Sequence, residues 1–281
     1  MSASFGRSPQ VVVTAEERAE YVAAACDIAK AAGRLTLPFF RSDLKVDNKL
    51  QDGEFDPVTE ADRIAEAHIR AALRERFPEH GLYGEEYGYE SGNGLTWVID
   101  PIDGTRAFMS GMVHWGVLMA LYDGERPIVG VMCQPFVDEL FWGDCHSAFY
   151  QRGDAEPAPM RTSSVPTLDA AILTTTGAYL LETQAQRDAF DRLSRDVKLT
   201  RTGGDCYVYA MLALGQVELA TDGQLNPYDI QALIPIIEGA GGVVSRLDGE
   251  DPAMGGWVLA SANPQLHAQA LRSLGKVGAA L

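Results

Sequence analysis

The most constraining feature of the sequence is a short apolar run that ends in two aspartates, Trp97–Thr105 (Trp-Val-Ile-Asp-Pro-Ile-Asp-Gly-Thr). Apolar residues followed by proline and glycine predict a buried strand that ends in a tight turn. Asp100 and Asp103 flank Pro101, whose ring stiffens the backbone, so the turn can direct both carboxylates at one point. Carboxylate oxygens in such a pair are ligands for hard cations such as Mg²⁺.

Gly104 and Thr105 continue this turn into the start of a predicted short helix. Glycine leaves the backbone N–H groups unhindered, and a helix N-terminus attracts anions, so the position suits a phosphate. A cation site beside an anion-binding turn predicts phosphoryl chemistry. Aspartates before glycine are also common in turns that have no function, so the rest of the chain has to decide.

The charge balance argues against several classes of partner. The 281 residues include 39 acidic and 23 basic residues, and the resulting net charge of −16 at pH 7 disfavours nucleic acid and anionic membranes. Hydrophobic residues make up 46% of the chain, which is enough for a large core. The sequence has no apolar run long enough to cross a membrane and no secretory leader pattern, so we expect a cytoplasmic protein.

Two regions of different character follow each other along the chain. Residues 1–155 begin with a loose arm over residues 1–13, and then combine helices with strands that we expect to form a largely antiparallel sheet. A polar loop is predicted over residues 41–55. Residues 156–281 alternate strands and helices, with one helix predicted over Tyr228 to Glu238. We therefore expect an N-terminal α+β domain and a C-terminal α/β domain.

Four further acids stand at the ends of predicted elements: Asp62, Glu85, Glu86 and Asp229. Asp62 and Asp229 fall in the first turns of helices, where an acid can simply complement the helix dipole. Glu85 and Glu86 follow a short element and could be solvated surface charge. None of these residues identifies a site on its own.

Taken together, the motifs resemble the inositol monophosphatase superfamily of Mg²⁺-dependent phosphatases over nearly the whole chain from about Ala15 onwards. The resemblance rests on five segments in this order: Asp56–Asp62, Gly84–Glu86, Trp97–Thr105, Pro227–Asp229 and Glu238–Gly242. It implies a layered αβαβα sandwich, with an antiparallel sheet in the N-terminal half and a mixed α/β arrangement in the C-terminal half. It also implies a phosphatase that acts on a small phosphorylated metabolite and forms a homodimer.

The resemblance implies a role for each acid. Five residues are implied as ligands for two or three Mg²⁺ ions per active site: Glu85, Asp100, Asp103, the backbone carbonyl of Ile102 and, for a further ion, Asp229. Thr105, hydrogen-bonded to Asp62, is implied to activate the attacking water, with Glu86 as an acid behind the metal ligands. Asp103, Gly104 and Thr105 are implied to line the phosphate position.

The segment Arg201–Tyr207 resembles the histidinol-phosphate phosphatase branch of the superfamily. Histidinol phosphate carries an ammonium group, with which the carboxylate of Asp205 could pair, whereas inositol phosphate presents neutral hydroxyls. Asp205 also directly precedes a predicted helix and could instead be its N-cap, so both interpretations stay open. The resemblance further implies that Asp222 contacts the leaving alcohol, and Gly204 and Arg201 are additional candidates for substrate contact.

We therefore predict Mg²⁺-dependent hydrolysis of L-histidinol phosphate to L-histidinol and phosphate by a metal-activated water, a step of histidine biosynthesis. Inositol 1-phosphate is the alternative substrate, and related small phosphate esters stay open. A relative that has lost catalysis and acts as a binding or regulatory protein is the non-enzyme alternative. A covalent aspartyl-phosphate mechanism is disfavoured, because Asp100 and Asp103 are three residues apart across a proline.

Overall fold

The computed structural model describes residues 5–43, 46–48 and 57–275. The α-helices in this part of the chain are α1 Ala15–Thr36, α2 Glu60–Arg76, α3 Thr105–Met109, α4 Gln184–Asp196, α5 Asp205–Ala213, α6 Pro227–Ile230, α7 Leu233–Gly239 and α8 Pro264–Leu274. Short 3-10 helices lie at Leu168–Ala170 and Ala178–Leu180. The strands are β1 Val46–Asn48, β2 Pro57–Thr59, β3 Gly81–Gly84, β4 Gly88–Glu90, β5 Thr96–Asp103, β6 Gly116–Tyr122, β7 Pro127–Gln134, β8 Glu139–Gly143, β9 Ala148–Arg152, β10 Ala158–Pro159, β11 Ile172–Thr175, β12 Leu199–Thr202, β13 Leu219–Leu225, β14 Val243–Arg246 and β15 Gly256–Ser261.

Eight strands form one sheet in the order β10-β9-β8-β7-β6-β5-β3-β4. Neighbouring strands are antiparallel except for β3 and β5, which are parallel. Along β6, Val117 and Met119 pack towards α1 and α2, whereas Leu118 and Ala120 pack towards the inner helices. Because helices cover both faces of the sheet, this strand is apolar along its whole length.

Five strands form a second sheet in the order β12-β11-β13-β15-β14. Strand β11 is parallel to both β12 and β13, and the remaining pairs are antiparallel. The outer face of this sheet packs on α4 and α8 through side chains that include Phe190 and Leu266. Its inner face contributes Ala220 and Val258 to a core that also contains α5, α7 and the first sheet. The layers therefore run helix, sheet, helix, sheet, helix, which confirms the predicted αβαβα sandwich.

Two glycines on neighbouring strands of the first sheet form the surface on which α7 lies. Gly130 of β7 and Gly143 of β8 are directly paired across the sheet. A Cβ atom on Gly130 would lie 1.9 Å from the carbonyl oxygen of Ala232, and one on Gly143 would lie 2.4 Å from that of Pro235. The backbone of α7 can approach the sheet this closely only because both positions lack a side chain.

Two predicted elements differ from those observed. The helix predicted over Tyr228 to Glu238 is divided into α6 and α7, because Pro235 lacks the N–H of an uninterrupted helix and lies instead in the first turn of α7. The loop predicted over residues 41–55 contains β1, which pairs with β2. Residues 44–45 and 49–55 of that loop lie outside the described residues.

The arm predicted as loose over residues 1–13 is docked from residue 5 onwards. The backbone N–H groups of Ser8 and Val11 donate to the carbonyl oxygens of Gly124 and Asp123, each at 2.8 Å. The arm therefore lies along the turn between β6 and β7, and its first four residues lie outside the described part of the chain.

The division into residues 1–155 and 156–281 stays a prediction. Strand β10 lies beyond residue 155 and yet pairs with β9 at the edge of the first sheet. The central core, moreover, takes buried side chains from both halves of the sequence.

Candidate active site

Three carboxylates from two distant parts of the chain converge between the sheets. Within the described residues, Asp100, Asp103 and Asp229 form the group suited to hold a metal ion, each with a carboxylate oxygen within 4.8 Å of the other two. Asp100 and Asp103 end β5, and Asp229 lies in α6. The sequence-predicted pair is thus joined by a third acid that is more than a hundred residues away.

An irregularity in β5 lets Asp100 and Asp103 face the same point. Residues three apart on a regular strand point to opposite faces of the sheet. The pairing of β5 with β6 shifts register between these two residues, and the Ile102 N–H turns back to donate to Oδ1 of Asp100 at 3.0 Å. Pro101 fits at this shift because it has no N–H to offer to the sheet.

Glu85 adds a fourth charge to this cluster. It follows β3, which runs parallel to β5, and its N–H donates to the carbonyl oxygen of Ile99 at 3.2 Å. This continuation of the strand pairing brings Glu85 beside Asp100, where the two carboxylates repel each other. Glu86, the next residue, donates its N–H to Oε2 of Glu66 at 2.8 Å.

Burial and mutual repulsion raise the pKa values of all three converging aspartates. Burial and the charge of Glu85 hold the pKa of Asp100 well above its usual range, and burial with the charge of Asp229 does the same for Asp103. Burial, with a contribution from Glu85, raises the pKa of Asp229 to about 7. A divalent cation would relieve this repulsion, and the all-oxygen donor set fits a hard cation.

The start of α5 is joined to the acidic cluster by Asp103. The N–H of Cys206 donates to Oδ2 of Asp103 at 2.7 Å, so a carboxylate from the first half of the chain satisfies a backbone donor in the second. The N-cap of α5 is Gly204, which has no side chain to cap the helix, and Asp103 satisfies the Cys206 N–H in its place. The N-cap interpretation of Asp205 is therefore wrong, and this residue is the first of the helix itself.

Thr105 and Asp62, both among the described residues, do not form the hydrogen bond that the resemblance implied. The hydroxyl of Thr105 donates to the carbonyl oxygen of Ile102 at 3.1 Å. Oδ2 of Asp62 accepts instead from the N–H and the hydroxyl of Thr59, at 2.8 and 2.5 Å. This difference has a local cause, because Asp62 is the third residue of α2 and completes a capping box with Thr59. Burial raises the pKa of Asp62 to about 7.

A cavity of about 140 Å³ opens beside the acidic cluster. It is lined by Asp103, Thr176, Tyr179, Leu180, Asp205, Cys206, Tyr209, Asp222, Gln224, Leu225, Asp229 and Leu233. Two of these residues, Asp205 and Gln224, have left-handed backbones with φ of 45° and 58°, a conformation that non-glycine residues rarely adopt. Strained backbone of this kind is common where a binding site dictates the position of a side chain.

The two candidate substrate acids in this cavity differ in their surroundings. Asp222 is buried, and its oxygens accept four hydrogen bonds, from the Thr175 hydroxyl, the Thr176 N–H and hydroxyl, and the Tyr209 hydroxyl, at 2.7 to 3.2 Å. Burial and the neighbouring charge of Asp222 raise the pKa of Asp205 to about 7. Asp205 lies against the predicted phosphate position, since a Cβ on Gly104 would lie 3.0 Å from the Cβ of Asp205.

Tyr179 forms a wall of this cavity that the sequence did not reveal, and Arg106 lies behind it. The guanidinium of Arg106 lies 4.4 Å from the centre of the Tyr179 ring. No pattern in the sequence marks Tyr179, which stands in a 3-10 turn after β11. Of the predicted substrate residues, Gly204 caps α5 and Arg201 is exposed on β12, and neither lines the cavity among the residues described.

Comparisons with known proteins agree with this arrangement. Residues 17–279 match the model of the inositol monophosphatase family. A histidinol-phosphatase of Chlorobaculum parvum is 37% identical over 254 residues, which cover 89% of this chain and 95% of the relative. A chloroplastic bifunctional phosphatase of Arabidopsis thaliana, IMPL2, is 35% identical and is matched over 88% of this chain and 72% of its own length. A solved inositol monophosphatase of Zymomonas mobilis superposes with a TM-score of 0.81 at 35% identity, covering 93% of this chain and 99% of that one.

The chain belongs to the inositol monophosphatase family and is a phosphatase. The family is generally metal-dependent, which accords with the cluster formed by Asp100, Asp103 and Asp229. None of the helices that the structure describes combines the length and the apolar character needed to span a bilayer.

Proposed function

We propose that the protein hydrolyses L-histidinol phosphate to L-histidinol and phosphate, as a step of histidine biosynthesis. The observation that supports this most is the carboxylate of Asp205 in the cavity beside the acidic cluster. In this ester the ammonium group stands on the carbon next to the phosphate-bearing one, which would place the cation where Asp205 and the field of Asp222 lie, and a charged hydrogen bond there contributes more than a neutral one. The likeness to a histidinol-phosphatase over 95% of its length also supports the proposal.

We propose Mg²⁺ as the cation, held by Glu85, Asp100, Asp103, Asp229 and the carbonyl of Ile102. When bound, Mg²⁺ lowers the pKa of a coordinated water and neutralises charge on the phosphate. The protein's part is to fix these oxygens and to accept a proton. Asp62, with its pKa raised to about 7 by burial, suits a proton acceptor near neutral pH, and the Thr105 hydroxyl can reorient from Ile102 by rotation about one bond.

Inositol 1-phosphate is a second candidate substrate, because a solved inositol monophosphatase is 35% identical to the chain and matches its fold over 93% of its length. The test is phosphate release by the purified protein with Mg²⁺, with L-histidinol phosphate and inositol 1-phosphate offered in parallel. We expect kcat/KM to favour histidinol phosphate by about a hundredfold, on the order of the discrimination that one well-placed charged contact gives. Chelation by EDTA should abolish release from both esters. A preference for inositol phosphate would overturn the substrate proposal and leave the phosphatase assignment in place.

Asp205→Asn separates the charge of this residue from its backbone role. Asparagine tolerates a left-handed backbone at least as well as aspartate, so the variant should fold normally. We expect KM for histidinol phosphate to rise by about tenfold or more, because a charged hydrogen bond is lost, while KM for inositol 1-phosphate changes by less than about threefold. Asp191→Asn, an exposed acid on α4, is the matched control and should leave both values unchanged. Equal KM values for wild type and Asp205→Asn would show that Asp205 does not recognise the ammonium group.

A further inference from the structure

A buried ion pair lies beneath the turn that carries Glu85. Glu66 is fully buried and the side chain of Arg70 is 3% exposed, because both stand on the face of α2 that packs among Ala65, Ile69 and Leu73. Nε of Arg70 donates to Oε1 of Glu66 at 2.7 Å. Burying two charges costs free energy that the pair alone does not recover, so such a pair persists where further hydrogen bonds complete it.

The remaining hydrogen bonds of the pair go to the turn between β3 and β4 and to β4 itself. Oε2 of Glu66 accepts from the N–H of Glu86 at 2.8 Å, and Oε1 accepts from the N–H of Tyr87 at 3.3 Å. Arg70 donates to the carbonyl oxygen of Gly88 and, at 2.9 Å, to Oε1 of Glu90. The pair therefore binds the backbone on the C-terminal side of Glu85.

Close packing and strand pairing hold the other side of Glu85. A Cβ on Gly84 would lie 1.9 Å from Oε1 of Glu66, so the carboxylate lies directly against the backbone of the residue before Glu85. The N–H of Glu85 itself donates to Ile99 on β5. The backbone of Glu85 is thus fixed between β5 and Glu66, with little freedom to move away from Asp100.

We infer that Glu66 and Arg70 are positioning residues that hold Glu85 beside Asp100 and thereby set the affinity of the site for its first cation. Among the described residues, neither side chain belongs to the acidic cluster or to the lining of the cavity beside it. Arg70 neutralises Glu66, so the pair supplies hydrogen-bond acceptors to the turn without adding charge to an acidic cluster that is already crowded. The inference rests on the proposed metal role of Glu85.

Glu66→Gln tests the inference through metal binding measured without substrate. Glutamine has one acceptor oxygen where glutamate has two, and its amide would face the N–H of Glu86 or of Tyr87 or the guanidinium of Arg70 as a donor against a donor. We expect calorimetry to give a Kd for Mn²⁺ or Mg²⁺ that is about tenfold to a hundredfold weaker, as for the loss of other groups that orient metal ligands. The metal concentration for half-maximal activity should rise in parallel, while kcat at saturating metal stays within about threefold of wild type.

Arg70→Lys provides a second variant if Glu66→Gln does not fold, since lysine keeps the charge but cannot bridge Glu66, Gly88 and Glu90. Glu90→Gln, at the half-exposed end of the same network, is the control and should leave the metal Kd within about twofold of wild type. Folded Glu66→Gln or Arg70→Lys with wild-type metal affinity would overturn the inference. Failure of the wild type to bind either cation would instead overturn the proposed function.

Discussion

Asp103→Asn is expected to lower kcat by about a thousandfold while the fold is retained. The substitution removes one of the three converging carboxylates, and the loss corresponds to about 4 kcal/mol of transition-state stabilisation, in the range that a catalytic cation supplies. The asparagine oxygen can still accept from the N–H of Cys206, so the contact with α5 should survive. Steady-state phosphate release at several Mg²⁺ concentrations measures the effect.

Stability should move in the opposite direction to activity. In the metal-free protein the variant relieves repulsion within a buried cluster, so its thermal unfolding midpoint should equal or exceed that of wild type, and the increase that Mg²⁺ gives to wild type should be reduced. Asp123→Asn is the matched control. Asp123 is a buried carboxylate that accepts from two N–H groups in the β6–β7 turn, so this variant should lose stability and keep its turnover. Turnover by Asp103→Asn within tenfold of wild type would contradict the assigned role.

Gly130→Ala is expected to destabilise the protein by about 3 kcal/mol and to lower its unfolding midpoint by on the order of 10 °C. The added methyl group would lie 1.9 Å from the carbonyl oxygen of Ala232. This is a backbone atom, so the clash cannot be relieved by a change of side-chain rotamer. Because α6 directly precedes α7, a displaced α7 should also move Asp229, and kcat should fall with stability. Chemical and thermal unfolding, together with phosphate release, measure both effects.

Gly143 provides a second test of this contact, and Gly6, which has free space around it, provides the control. Gly143→Ala should destabilise in the same direction, since its Cβ would lie 2.4 Å from the carbonyl oxygen of Pro235. Gly6→Ala meets no atom within 4 Å and should change the free energy of unfolding by less than about 0.5 kcal/mol. An unfolding midpoint for Gly130→Ala equal to that of wild type would show that α7 can shift without cost.

The sequence predicted the strand of the site and its acids because their signals are local. The apolar run before Asp100 and Asp103 indicates a strand, and the proline near Asp229 indicates the start of a helix. The layered fold followed from the resemblance carried by these motifs. The break between α6 and α7 was missed, although Pro235 carried the signal.

Other parts of the site depend on tertiary contacts that no local pattern contains. Whether Asp205 caps its helix was decided by Asp103, which contacts the start of α5 from the other half of the chain. The partner of Asp62, by contrast, is set locally, because Thr59 and Asp62 form the capping box of α2. Tyr179 has no sequence signal at all. Glu66 and Arg70 had one, since a charged pair at helical spacing on an apolar face indicates a buried role.

The walls of the cavity and the acidic cluster are built on different kinds of element. The acids stand at the end of a central strand and in α6, which directly precedes the closely packed α7, so backbone changes there are costly. Tyr179 and Gln224, by contrast, lie on a surface turn and at the end of a strand, where substitutions and insertions are tolerated. Evolution can therefore alter the lining of the cavity without rebuilding the acidic cluster.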